Sequence, residues 1–139
     1  MRPRESMAAL LMLALLPACG GDDSSLGPAE EEERGPVTLA RLATEIFTPK
    51  CATSGCHAGA APAAALSLEA DRLAEMIDAA SNQEEGAKLI DPGNPDGSYI
   101  IRKVKGTGGG KQMPIGMDPL TPEEIQMIVD WVAAGAPTS

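Results

Sequence analysis

Large aromatic rings are scarce in this chain of 139 residues, which holds one phenylalanine, one tyrosine and one tryptophan: Phe47, Tyr99 and Trp131. Such rings usually supply much of a core's buried area. Three of them leave a single domain short of bulk, and a bound group is one way to make up the difference. Histidine is scarcer still, with His57 alone, so no site can rest on two imidazoles. Basic residues are the minority, 11 Lys and Arg against 20 Asp and Glu, for a net charge of -9. Nucleic-acid binding rests on cationic contacts to phosphates, and no long basic stripe is present, so the composition argues against nucleic acid as a partner. No apolar run approaches the ~20 residues that a membrane-spanning helix requires. What the chain does have is 43% apolar residues, 15 glycines, 12 prolines, seven methionines and three cysteines. That is material for one small domain.

Residues 1–18 carry two arginines, then an apolar stretch from Met7 to Leu16, then a small residue before Cys19. This is the pattern of a secretory signal peptide, too short to cross a bilayer. Leu16-Pro17-Ala18-Cys19 resembles the lipobox of bacterial lipoproteins. The resemblance implies cleavage before Cys19 and a lipid on that cysteine, hence a lipid-anchored protein of the cell envelope, periplasmic or surface-facing. Gly20 in place of Asp after the cysteine favours the outer over the inner membrane by analogy with known sorting rules. Ordinary cleavage near Ala18, leaving a free Cys19, is the alternative. Residues 19–36 turn to Gly, Ser, Asp and the run Glu30 to Glu33. They bury too little to offset chain entropy and read as a disordered acidic tether. Residues 37–139 remain as the folded domain.

Thr38 to Thr48 spaces Leu39, Leu42, Ala43, Ile46 and Phe47 as one helical face, with Pro49 stopping the run. Thr121-Pro122-Glu123-Glu124 reads as a capping box with proline at the first helical position. Beyond it, Ile125, Ile128, Val129 and Val132 form an apolar face with Trp131 toward its edge, and Gly135 ends the helix. Ala70 to Ala80 offers a weaker stripe of Leu73, Met76, Ile77 and Ala80. Asn94-Pro95 is a cap for a short helix bearing Tyr99, Ile100 and Val104. No segment alternates long enough for a strand. The expected class is all-α, with three to five helices and more irregular chain, at 57–65, 81–94 and 106–120, than a plain bundle uses. A small domain wrapped around a ligand accounts for both.

The first helix is followed by Cys51-Ala52-Thr53-Ser54-Gly55-Cys56-His57, which holds both remaining cysteines and the sole histidine. A cysteine pair followed directly by histidine is the signature of covalent haem attachment, two thiols adding to the porphyrin vinyl groups and the imidazole reaching the iron. Four residues separate the cysteines here in place of the usual two, and Ser54-Gly55 supplies the flexibility for the longer loop. A six-coordinate electron-transfer haem needs a second axial ligand, and with no other histidine the candidate is a methionine. Lys111-Gln112-Met113-Pro114-Ile115-Gly116-Met117 offers two in a glycine-rich loop before the last helix. Met113, which precedes a proline, is the first choice and Met117 the reserve.

Taken in order, IFTPKCATSGCH, DPGNPDGSYIIRKVKG and MPIGMDPLTPEEIQMIVDWVAAGAP are similar to the cytochrome-like domains of lipoproteins from myxobacteria and planctomycetes. More broadly they resemble a monohaem class I cytochrome c domain. The resemblance spans residues 38–137. It implies a cytochrome c-like fold around one haem c, with thioether bonds at Cys51 and Cys56 and axial ligation by His57 and Met113. It also implies that the first and last helices cross near a haem edge, close to Phe47 and Trp131. The function implied is single-electron transfer to redox partner proteins of the envelope. No enzymatic step is expected, since there is no second histidine to act as a distal acid or base.

Two other readings use the same residues. A Cys51–Cys56 disulfide would close a haem-free lipoprotein domain with a structural or interaction role, but so short a loop stabilises little and leaves His57 and the loops unaccounted for. Zinc would find at most three ligands in Cys51, Cys56 and His57, two of them chain neighbours. Arg102, Lys103, Lys105 and Lys111 form the only basic cluster, a candidate contact for haem carboxylates or an acidic partner.

Overall fold

The computed structural model describes residues 35–139. The expected signal peptide, the expected lipidation site Cys19 and nearly all of the expected tether therefore lie outside the described residues. The described chain is helical and contains no sheet, only isolated bridges such as Ile77 with Ile90 and Lys88 with Ser98.

The first helix, α1 (39–50), opens on Thr38, whose hydroxyl accepts from the Arg41 N–H at 3.2 Å. Leu39, Leu42, Ala43, Ile46 and Phe47 are all buried, as their spacing predicts. Proline does not stop the helix at Pro49. A π-helical turn, Ala43–Phe47, comes first, and the Thr48 N–H reaches back five residues to the Ala43 carbonyl. Proline cannot donate and its ring crowds the carbonyl four residues back. The wider turn makes room for it, and a last α turn, Thr48–Lys50, carries the chain to Cys51.

The stripe predicted as a helix over Ala70 to Ala80 is only a 3-10 turn, Leu73–Met76. That turn buries Leu73 and Met76, after which Ile77 is extended and Asp78 takes a φ of +59°. The backbone beyond Met76 bonds instead to residues 87–90, with the Asp78 N–H donating to the Ile90 carbonyl at 2.9 Å and the Leu89 N–H to the Ala79 carbonyl at 2.7 Å. Helix α2, Tyr99–Lys105, begins later than the Asn94 cap suggests, with Ser98 as the flanking residue. The Asn94 side chain is occupied in a turn, accepting from the Gly97 N–H at 3.1 Å.

Helix α3, Pro122–Ala133, has the predicted capping box, with Thr121 Oγ1 accepting from the Glu124 N–H at 3.2 Å and Glu124 Oε2 from the Thr121 N–H at 2.9 Å. Its buried face differs from the expected one. Trp131 lies at its centre with Ile128 and Val132, all fully buried, while Ile125 and Val129 are only partly covered. The indole N–H leaves no orphan donor, because it reaches the Pro137 carbonyl at 2.9 Å. Helix α3 packs on both α1 and α2. Lys50 Nζ on α1 bonds Glu124 Oε2 at 2.7 Å, so the capping residue also ties the first helix to the last. Burying a large apolar side chain contributes about 1.5–3 kcal/mol, and Phe47 and Trp131 anchor this packing.

Candidate functional site

The end of α1 delivers Cys51 into the interior, its N–H and that of Ala52 both donating to the Phe47 carbonyl, at 2.9 and 2.7 Å. The chain then doubles back. Gly55 takes a φ of +81°, Cys56 N–H donates to Thr53 O at 2.9 Å, and His57 N–H returns to Cys51 O at 3.2 Å. The four intervening residues thus form a closed bulge, while the first cysteine and the histidine are tied by a backbone bond.

His57 is buried, and a strap of residues 62–68 holds it. Its Nδ1 lies 3.0 Å from the Leu66 carbonyl oxygen, and its own carbonyl accepts from the Leu68 N–H at 2.8 Å. A carbonyl can only accept, so Nδ1 carries a proton, and in the neutral imidazole Nε2 is the nitrogen that keeps its lone pair. This is the arrangement that orients a metal-binding imidazole and fixes its tautomer. Leu66 was invisible to sequence reasoning because it contributes a backbone atom, which no residue type announces.

All five predicted site residues within the described chain line one cavity of about 320 Å³: Cys51, Cys56, His57, Met113 and Met117. Its remaining walls are largely apolar, among them Phe47 from α1, Leu68 from the strap, and Tyr99, Ile100 and Val104 from α2. Met113 is partly buried and packs on the core, whereas Met117 and Ile115 are half-exposed, at 46% and 51%. The two methionines are thereby distinguished: Met113 has the covered position and Met117 the open one. The cysteines are not bonded to each other. Burial is the main influence on the Cys51 thiol and pushes it up to about 11, against a smaller pull from Lys50.

The predicted basic cluster is not one face. Arg102 Nη1 bonds Glu84 Oε1 at 2.7 Å and its guanidinium lies 5.3 Å from the Tyr99 ring centre. Lys103 is buried and lines the cavity, while Lys105 and Lys111 are exposed. The signal for Lys103 was present in the sequence, since it falls on the same helical face as Tyr99, Ile100 and Val104.

Covalent haem requires two thiols facing the slot, an imidazole whose Nε2 can reach the metal, a second soft donor and largely apolar walls. The cavity supplies each of these from residues present, and its volume falls within the ~300–1,000 Å³ usual for a cofactor pocket. Among the described residues no group of three or more His, Cys, Asp and Glu is arranged to hold a metal ion without such a cofactor. No helix among the described residues is long and apolar enough to cross a membrane. Comparison of the chain with protein-family models, curated proteins and solved structures finds no significant match.

Proposed function

We propose that this chain is an electron-transfer protein of the cell envelope. It binds one haem c covalently in a cytochrome c-like domain and is anchored by a lipid on Cys19. The observation that carries the reading is the convergence of Cys51, Cys56, His57 and Met113 on a single apolar cavity, with the His57 Nδ1–H already committed to the Leu66 carbonyl. Cys51, Cys56 and His57 belong to one local motif, but Met113 lies about 56 residues beyond His57, so its meeting with them is a property of the fold.

When bound, the haem supplies reversible one-electron exchange at iron. The chain's own residues do the rest. Cys51 and Cys56 would hold the group through two thioethers, since each thiol can add S–H across a vinyl double bond without an oxidant. The Leu66 carbonyl holds the His57 ring in one tautomer and raises its basicity as a ligand. Met113 would offer a neutral thioether, a weaker donor to oxidised iron than imidazole and one that would raise the potential. Phe47, Leu68, Ile100 and Val104 exclude water, so little solvent reorganises when charge changes. Ile115 and Met117, half-exposed beside the cavity, give redox partners an apolar contact next to the site.

Mass spectrometry of the protein made in a host competent for cytochrome maturation tests this reading. The peptide spanning Cys51 to His57 should carry the mass of one haem, and Cys56→Ala should cut the yield of haem-bearing protein severely. An unmodified peptide whose two cysteines form a disulfide would support the haem-free lipoprotein domain instead.

A further inference from the structure

The glycine-rich segment before Met113 has no regular structure of its own, yet it is held closely to the C-terminal turn of α2. Thr107 and Gly108 N–H both donate to the Arg102 carbonyl, at 2.9 and 3.0 Å. Gln112 Nε2 donates to the Val104 carbonyl at 2.8 Å, and the Met113 N–H to the Lys103 carbonyl at 3.0 Å. At the centre is the Lys103 side chain, in a residue only 7% exposed, whose Nζ donates to Gly109 O at 2.8 Å and to Lys111 O at 2.6 Å. A buried cation is costly unless paired or fully hydrogen-bonded, and here backbone carbonyls take the place of an acidic partner.

The glycines fit this arrangement. A Cβ at Gly108 would meet Lys103 Cδ at 3.1 Å and the Arg102 carbonyl carbon at 3.3 Å, so the backbone passes where a side chain would crowd it. Gly110 turns at a φ of +75°, in the left-handed region, to bring the Gly109 and Lys111 carbonyls onto one ammonium.

We infer that Lys103 is the positioning residue for Met113: its buried ammonium gathers the 107–112 loop and fixes where the Met113 thioether enters the cavity. The inference rests on the haem reading insofar as Met113 is taken as an axial ligand. Its structural part, the clamping of the loop, stands without haem. The lysine acts through the loop backbone, so its loss should weaken the methionine's hold on iron and leave the cysteine and histidine side of the site intact.

The experiment uses the full chain matured with haem, with Lys103→Met as the main variant and Lys105→Met, on an exposed lysine of the same helix, as control. Oxidised protein is titrated with imidazole, following the sulfur-to-iron charge-transfer band, and amide hydrogen exchange is read at residues 109–113. Lys103→Met should bind imidazole about tenfold more tightly, equivalent to losing one net hydrogen bond from the loop, and its loop amides should exchange faster. Lys105→Met should match the parent chain. Gly108→Ala, which presses on the lysine stem and leaves its charge, should shift both readouts the same way and carries the test if Lys103→Met fails to fold. Imidazole affinity within about twofold of the parent in both variants, or unchanged loop exchange, overturns the inference. Parent protein without haem refutes the functional reading alone, and loop exchange then decides the role of Lys103.

Discussion

The burial of Cys51 has a measurable consequence in the full chain prepared without haem attachment. Its residue is 9% exposed, and burial carries the thiol from the ordinary 9.0 to about 11, with Lys50 opposing and Glu124 and Cys56 adding smaller upward pushes. Two units correspond to a thiolate population lowered roughly a hundredfold at neutral pH, and the thiolate is the nucleophile. Cys56 is only partly buried. Alkylation by iodoacetamide under reducing conditions, with fragment-ion sequencing of the peptide holding both cysteines, should therefore label Cys56 first. Cys51 should react on the order of a hundredfold more slowly than an unburied thiol, with a rate that rises about tenfold per pH unit and levels off only near pH 11. The same shift fixes a sign for stability. The fold favours the neutral thiol, so the contribution is whole below about 9 and is lost as pH rises from there through about 11. The full loss is on the order of 3 kcal/mol. Equal labelling of the two cysteines at neutral pH, or a plateau in the Cys51 rate near pH 9, would refute the reasoning.

Three further outcomes are expected. In haem-bearing protein, Met113→Ala should abolish the strong-field methionine signature in the reduced spectrum while Met117→Ala leaves it; the reverse result moves the ligand to Met117. Trp131→Ala removes a fully buried indole and orphans the Pro137 carbonyl, at a cost of about 3–5 kcal/mol by denaturant unfolding, and a loss under about 1 kcal/mol would contradict its place at the centre of the core. Burial pushes the Glu124 carboxyl up, but Lys50 and the Thr121 N–H more than offset it, leaving it below its ordinary 4.5. Its contribution is therefore present above about 4.5 and lost as pH falls through its lower folded value. Glu124→Gln should flatten that acid-side loss in a pH series of unfolding curves, and an unchanged acid slope would contradict the assigned role.

Terminal helices were legible because their signals are local. Five apolar positions in α1 and the Thr121-Pro122-Glu124 cap each specify a helix without reference to anything distant. The middle was not, because Leu73 and Met76 bury equally well from one 3-10 turn, and the choice against a longer helix was made by backbone bonds to residues 87–90. Pro49 misled for a similar reason, since a π-turn that no composition signals absorbs it. At the site, the cysteines, histidine and methionines were readable as residue types with known chemistry. Their supports were not, because the Leu66 carbonyl and the carbonyls of Gly109 and Lys111 act as backbone atoms. Only Lys103 left a trace, as a charge on an otherwise apolar helical face.

On the proposed reading, a large flat cofactor in the cavity would take the place of the missing aromatic side chains. The most direct test is the absorption spectrum of the purified protein from a maturation-competent host, recorded reduced and then again after denaturation and solvent extraction. A sharp reduced α band is expected, with haem that stays with the polypeptide after extraction. A colourless protein, or haem that leaves with the solvent, would contradict the proposed reading.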